Sequence, residues 1–114
     1  MPMQSADQTT YRMMRLLERS PEKSQRDLAL ELGISLGKVN DCLQSLIRKG
    51  WVKAARFKNS RNKAAYIYLL TPRGIEEKAA LAARFLQDKV REHAVLCAEI
   101  EEIRREAARY GPRR

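Results

Sequence analysis

A short segment of the chain combines side chains that can hydrogen-bond to the edges of nucleic-acid bases. Between Ser35 and Gln44 the polar residues recur on one side of an amphipathic pattern: Ser35, Lys38, Asn40, Asp41 and Gln44. Lysine can donate to guanine acceptors, and asparagine or glutamine can pair with adenine through two hydrogen bonds. This combination predicts a surface that reads DNA sequence in the major groove.

Gly37 lies within the same segment, although glycine inside a helix costs about 1 kcal/mol relative to alanine. Two interpretations remain open. A close approach of the backbone to DNA would favour glycine at this position, and so would relief of crowding in the turn before the helix.

A second group of candidate residues is basic and lies between residues 53 and 63. This stretch carries no acidic residue, and its cations are Lys53, Arg56, Lys58, Arg61 and Lys63. Such a strip suits phosphates and the negative potential of a narrow minor groove. The alternative is a solvated loop, but its position next to the first segment favours DNA contact, with Arg61 predicted for the minor groove.

The net charge restricts the class of partner. The 114 residues carry a formal charge of +9, and residues 1–74 hold 14 Lys and Arg against 6 Asp and Glu, whereas residues 75–114 hold 9 against 8. A basic surface attracts polyanions and speeds encounter with them. The imbalance therefore assigns the attraction to the first two thirds of the chain.

Three helices are predicted before the basic strip. Apolar residues at helical spacing from Thr9 form helix 1, which Ser20-Pro21 ends because proline disfavours helix in the preceding residue. Ser24 caps helix 2, whose inner face holds Leu28, Ala29 and Leu32, and Gly33 ends it. Ser35 caps helix 3, which runs to about Lys49 and buries Val39, Leu43, Leu46 and Ile47.

The remainder of the chain predicts a hairpin and one long helix. WVKAARF and AAYIYLL resemble strands in composition, and the polar KNSRNK between them gives the hairpin a basic tip. Thr71-Pro72 is a strong helix start, and neither proline nor glycine occurs from Ile75 to Tyr110. The fold class is mainly α with a small β element: a winged helix-turn-helix domain followed by a long coiled-coil helix.

The long helix carries an apolar stripe that predicts a homodimer. Its spacing alternates between three and four residues, and two further side chains widen it: Leu86, Val90, His93, Cys97 and Ile100, with Leu96 and Ile103. A second copy is the simplest cover for such a stripe. We predict residues 1–8 to be disordered, 9–71 to form the DNA-binding domain, 72–110 the dimerisation helix, and 111–114 a disordered tail.

Two longer stretches resemble a known family. SQRDLALELGISLGKVNDCLQSLIRKGWV resembles the recognition half of MarR-family regulators, and YIYLLTPRGIEEKA resembles their second wing strand and the helix after it. SLGKVN, KGWVKAARFKNSRNKAAYIYLLTPRGIEEK and the short coiled coil are similar to small MarR-type regulators associated with exopolysaccharide gene clusters. Together these likenesses cover most of residues 9–105.

The resemblance implies a transcription regulator that binds an inverted repeat in double-stranded DNA as a dimer. It implies base contacts on the helix that begins at Ser35, and backbone or minor-groove contacts on residues 56–63. Larger MarR proteins have an additional N-terminal helix in a dimer domain that often holds an effector pocket. Here only about eight residues precede helix 1, so the usual ligand regulation is not expected.

Other functions find less support in the sequence. His93 and the two cysteines, Cys42 and Cys97, form no zinc-like cluster, so no metal or other cofactor is predicted. His93 lies in the apolar stripe, where it is either a packing residue or a pH switch. Each cysteine is either a packing residue or a redox sensor. For all three residues, packing is the favoured interpretation. Paired catalytic carboxylates, a phosphate-binding loop and a nucleophile beside the histidine are lacking, which argues against an enzyme.

The sequence also bears on the cellular compartment and on partners other than DNA. With neither a membrane-spanning stretch nor a signal peptide, the protein is expected in the cytoplasm. A winged helix can instead dock a protein partner through its coiled coil without specific DNA binding. Structured RNA is a third possibility, disfavoured because its A-form major groove is too narrow for a helix.

Overall fold

A computed structural model describes residues 5–57 and 65–110 of the chain. The elements follow in the order α1 (Ser5–Arg19), α2 (Gln25–Leu32), α3 (Leu36–Arg48), β1 (Val52–Phe57), β2 (Ala65–Leu70) and α4 (Pro72–Tyr110). This order of three helices, a hairpin and a long helix is the one that the sequence predicts. The prediction of disorder for residues 1–4 and 111–114 falls outside the residues that the structure describes.

The first helix corrects one prediction. α1 begins at Ser5 rather than Thr9, so residues 5–8 are helical and not part of a disordered segment. Asp7 lies in the first turn, where a negative charge is favourable at the helix N-terminus. It also pairs with Arg84 of α4 at 2.8 Å, and this contact between distant parts of the chain holds the additional turn.

The hydrophobic core lies where α1, α2, α3 and the hairpin meet. It holds the side chains that the helical spacing predicts, together with residues of the hairpin and α4: Met13, Met14, Leu17, Leu28, Leu32, Val39, Leu43, Leu46, Val52, Tyr68 and Leu81. Seven of these expose less than 2 % of their surface. A core of this size fixes how the three helices are rotated about their axes, and therefore which faces point to solvent.

The two strands pair antiparallel in a single register. Val52 lies opposite Leu70, Ala54 opposite Tyr68, and Arg56 opposite Tyr66. Since successive side chains alternate between faces, these six residues lie on one face of the hairpin, and its Val52 end contacts the hydrophobic core. Val52 and Tyr68 are buried there, whereas Arg56 and Tyr66 at the far end are exposed.

The long helix has two halves with different surroundings. Its first half packs on α1, where the rings of Tyr11 and Phe85 stack at 5.3 Å and Glu18 forms an ion pair with Lys78. From Lys89 to Tyr110 every residue is exposed. At about 1.5 Å per residue, this second half extends roughly 30 Å beyond the winged domain.

Candidate nucleic-acid interface

α3 is held in place by its cap and its buried face. Gly33 adopts φ 68° between α2 and α3, a left-handed conformation that glycine takes without steric cost. The backbone N–H of Lys38 donates to the Ser35 hydroxyl at 3.1 Å, which caps the helix as predicted. Because Val39, Leu43 and Leu46 are buried, the opposite side of α3 must face solvent.

The exposed face of α3 contains most of the predicted base-reading residues. At 100° per residue, Gly37, Asn40, Asp41, Gln44 and Arg48 fall within one sector, and all five are exposed. Lys38 is also exposed but lies at the edge of this sector, on the side of α1. The arrangement offers amide donors and acceptors, one carboxylate and two cations to a groove.

Gly37 lies in open space. A Cβ atom at this position would meet no neighbour closer than the Ser35 hydroxyl at 4.0 Å. Nothing in the described chain therefore crowds the turn, and the interpretation that glycine relieves crowding loses its support. The close approach of DNA to this glycine stays a prediction.

On the hairpin, the structure adds an aromatic residue to the predicted basic strip. The Arg56 guanidinium lies over the ring of Tyr66 on the facing strand, 5.7 Å from the ring centroid, and both side chains are exposed. Sequence reasoning did not select Tyr66, although its alternation with Tyr68 places both on one strand face. A guanidinium held over a ring is restricted in orientation, which favours a directed contact.

The other basic residues of the strip have different places. Lys53 is exposed on the opposite face of β1 from Arg56, because side chains alternate along a strand. Lys58, Arg61 and Lys63, and with them the predicted minor-groove contact, lie outside the described residues. The structure therefore locates the base of the wing and leaves its tip as a prediction.

The wing is fixed to the helices by polar contacts at its base. The side-chain amide of Gln25 donates to the Tyr68 hydroxyl at 3.1 Å, and the backbone N–H of Tyr68 donates to the Pro21 carbonyl at 3.3 Å. The Thr71 hydroxyl donates to the Gly50 carbonyl at 2.6 Å. These bonds join β2 to the start of α2 and to the end of α3, so the wing and α3 are positioned together.

Cys42 lines a cleft of about 580 Å³ between α1 and α3, together with Thr10 and Lys49. The thiol is half-buried, and desolvation by burial raises its pKa above the ordinary value, partly offset by a hydrogen bond with Thr10 and by the charge of Lys49. A raised pKa lowers the reactive thiolate fraction near neutral pH. This environment favours the packing interpretation of Cys42 over a redox role.

The residues of the predicted apolar stripe on α4 are all exposed. Leu86 is 63 % exposed, Val90 59 % and Ile103 61 %, and His93, Leu96, Cys97 and Ile100 are exposed as well. The Cys97 Sγ lies 3.5 Å from His93 Nε2, one helical turn away. A single chain thus leaves the whole stripe uncovered.

The described residues offer neither a cluster of metal ligands nor a helix suited to a membrane. In the described part of the chain, no three His, Cys, Asp or Glu residues come together in a way that could hold a metal ion. Among the helices described, none is both long enough and apolar enough to cross a membrane.

Comparison with known proteins gives the fold class. Residues 7–53, from α1 into β1, match the sequence family described as winged helix-turn-helix DNA-binding. No curated protein matches the chain significantly in sequence. Among solved structures, the PcaV transcriptional regulator of Streptomyces coelicolor aligns with a TM-score of 0.61 at 17 % identity, over 90 % of this chain and 79 % of its own.

Two further structures carry the same fold. A MarR family protein of Mycobacterium tuberculosis, solved with p-aminosalicylic acid, gives a TM-score of 0.62 at 23 % identity, over 91 % of this chain and 78 % of its own. FabT of Streptococcus pneumoniae, solved in complex with DNA, gives 0.54 at 20 % identity, over 87 % and 73 %. The chain therefore has the winged helix fold found in MarR-type regulators, which confirms the predicted winged helix-turn-helix and the long C-terminal helix; the pairing of that helix in a coiled coil stays a prediction.

Proposed function

We propose that this protein is a sequence-specific transcription regulator of the MarR type that binds an inverted repeat in double-stranded DNA as a homodimer. In this proposal α3 enters the major groove and the wing contacts the sugar-phosphate backbone or the minor groove. The DNA-contacting residues are Ser35, Gly37, Lys38, Asn40, Asp41, Gln44 and Arg56, with Lys58, Arg61 and Lys63 at the wing tip.

The observation that carries the proposal is the outward face of α3. Asn40, Asp41 and Gln44 are exposed on a helix whose other side is anchored by buried leucines and valine. Phosphate contacts alone require cations, whereas amide side chains on a rigid helix provide paired donors and acceptors for base edges. Their concentration beside the open Gly37 supports sequence reading rather than general attraction to polyanions.

The charge distribution and the structural comparisons point the same way. The basic excess belongs to residues 1–74, which include the helix-turn-helix and the wing. FabT, which shares the fold, was solved bound to DNA. A protein-docking module has no need for a basic excess on this half of the molecule, so the charge favours DNA over the rival partner.

The target genes follow from the sequence resemblance. The segments SLGKVN and KGWVKAARFKNSRNKAAYIYLLTPRGIEEK and the short predicted coiled coil are similar to small MarR-type regulators that accompany exopolysaccharide gene clusters. We propose such a cluster as the target, with regulation following from occupancy of the operator.

Selection of sheared DNA from the source genome with the purified full-length protein tests the proposal. We expect enrichment of a small number of fragments that share one inverted repeat, upstream of exopolysaccharide genes. The Asn40→Ala, Gln44→Ala double variant is the matched control, because it keeps the fold and the net charge and should lose the enrichment. Even recovery of all fragments by both proteins would refute specific reading, and enrichment upstream of unrelated genes would refute only the target.

A further inference from the structure

From Ala83 to Tyr110, α4 carries a row of exposed residues, which we term the seam. Leu86, Ile103 and Tyr110 within it are 63 %, 61 % and 75 % exposed. The full set is exposed throughout: Ala83, Leu86, Val90, His93, Leu96, Cys97, Ile100, Ile103, Ala107 and Tyr110. An apolar row of this length on a single helix needs a cover.

The spacing of the seam is the same in both directions. Read forward from Ala83, the seam passes through residues 83, 86, 90, 93 and 97, at intervals of three, four, three and four. Read backward from Tyr110, it passes through 110, 107, 103, 100 and 96 at the same intervals. Alternating intervals of three and four are those of a coiled-coil interface. Each half of the seam therefore fits the other half in reverse.

We propose that two copies of the chain pair through α4 in antiparallel orientation, with Ala83 of one copy beside the partner's Tyr110. The proposal rests on the homodimer of the proposed function and specifies its geometry. It places Leu86 against the partner's Ala107 and Val90 against the partner's Ile103. His93 then faces the partner's Ile100, and Leu96 faces the partner's Cys97 at the centre.

Side-chain size supports the antiparallel orientation. The two outer layers each combine a small with a large residue, Ala83 with Tyr110 and Leu86 with Ala107. A parallel pair in register would place every residue against itself, so that two tyrosines meet in one layer and two alanines in the layer next to it. Interiors pack at near-crystalline density, and alternating layers of excess and missing volume are unfavourable.

Charge at the edge of the seam supports the same orientation. Lys89 and Glu106 flank the seam at equivalent positions of its two halves. Antiparallel pairing therefore places Lys89 of each copy beside the partner's Glu106. Two symmetric Lys89 to Glu106 contacts result. Lys89 also pairs with Glu92 of its own helix at 3.2 Å, so the new contact extends an existing ion pair. In a parallel pair, Lys89 faces the partner's uncharged Ala94.

The domain arrangement is compatible with this pairing. Leu81 is buried under the winged domain and Phe85 is half-buried, whereas everything after Asp88 projects. The partner's Tyr110 therefore reaches the edge of the winged domain without entering its core. The two winged domains lie at opposite ends of one shared coil, related by a two-fold axis perpendicular to it.

Distances between spin labels on the full-length protein distinguish the orientations. In a Cys42→Ala, Cys97→Ala background, one variant carries Ala98→Cys near the centre of the coil and a second carries Arg109→Cys near its end. Both positions are exposed and neither belongs to the seam. Antiparallel pairing predicts about 20 Å between the labels at 98 and about 40 Å at 109, from a rise of about 1.5 Å per residue and helices about 10 Å apart.

Each outcome decides the proposal. A distance of about 20 Å at both positions would overturn it in favour of parallel pairing. Absence of a defined distance at 98 would show that α4 is not the dimer interface and would also remove the homodimer from the proposed function. DNA binding of the same variants, measured separately, reports on the recognition surface independently of either result.

A charge exchange provides a second test. Lys89→Glu and Glu106→Lys should each weaken the dimer by about fivefold, because each places like charges together at two symmetric contacts. The double variant should restore the wild-type dimer dissociation constant, measured by sedimentation equilibrium at low salt. Additive weakening in the double variant would contradict the antiparallel contact.

Discussion

Trp51 and Gly74 contact each other through their backbones, in a space that admits no side chain. A Cβ atom on Gly74 would lie 2.9 Å from the carbonyl carbon of Trp51 and 3.2 Å from its Cα, with the carbonyl oxygen closer still. The Gly74 N–H donates to the Thr71 hydroxyl at 3.0 Å, and the Thr71 N–H donates to the Trp51 carbonyl at 3.0 Å. This contact joins the end of α3, the wing and the start of α4.

Gly74→Ala should lower the free energy of unfolding by about 1–3 kcal/mol, because the added methyl group overlaps backbone atoms that cannot move independently of the core. Urea denaturation followed by circular dichroism measures the change. The control is Ala79→Gly, at an exposed position of the same helix, which changes helix propensity alone. It should lower the free energy of unfolding by about 1 kcal/mol. A urea midpoint for Gly74→Ala equal to that of wild type would show that the backbone around Trp51 and Gly74 moves apart to accommodate the methyl group.

Gly37→Ala should have opposite effects on stability and on binding. Because the position is open and helical, alanine should raise the free energy of unfolding by about 0.5–1 kcal/mol. If DNA occupies that space, the methyl group should reduce affinity for the operator by about tenfold or more, or about 1.4 kcal/mol. Thermal melts and fluorescence anisotropy on one preparation give both values, and an unchanged affinity would contradict the close approach.

Asn40→Ala and Gln44→Ala should each cost about 1–3 kcal/mol of binding to the cognate operator and little on random DNA. The reason is that these amides are expected to pair with base edges, which only the operator presents in the right order. Titration of both duplexes at one salt concentration gives the specificity ratio. Equal weakening on the two duplexes would assign the amides to the backbone instead.

Arg56→Ala should reduce the slope of log affinity against log salt by about one, because one fewer phosphate-region charge releases fewer counterions. Arg105→Ala is the matched control, since it removes the same charge from the projecting half of α4, where the residue is exposed. The control should leave the slope unchanged. Identical slopes for wild type and Arg56→Ala would indicate that this arginine is merely solvated.

The parts of the fold that the sequence predicts are those with local causes. Ser24 and Ser35 each accept a hydrogen bond from the backbone N–H three residues later, as capping requires. Gly33 and Gly50 both have positive φ at the predicted helix ends. A cap or a positive φ depends on a few neighbouring residues, so the bounds of α2 and α3 can be derived from the chain alone.

The parts that the sequence did not predict depend on distant residues. The early start of α1 involves the ion pair of Asp7 with Arg84, 77 residues away. The contact of Arg56 with Tyr66 depends on strand register, which is set across the whole hairpin. The alternation of Tyr66 with Tyr68 was the available signal, because residues two apart on a strand lie on the same face, and that face also carries Arg56.

The central claim is that the outward face of α3 reads DNA sequence. The most direct test is the affinity of the full-length protein for its own upstream intergenic DNA and for a scrambled duplex of equal length, measured by fluorescence anisotropy across a salt series. We expect a preference of about a thousandfold or more at near-physiological salt. Equal, weak binding to both duplexes that falls steeply with salt would contradict the claim and leave only a basic surface.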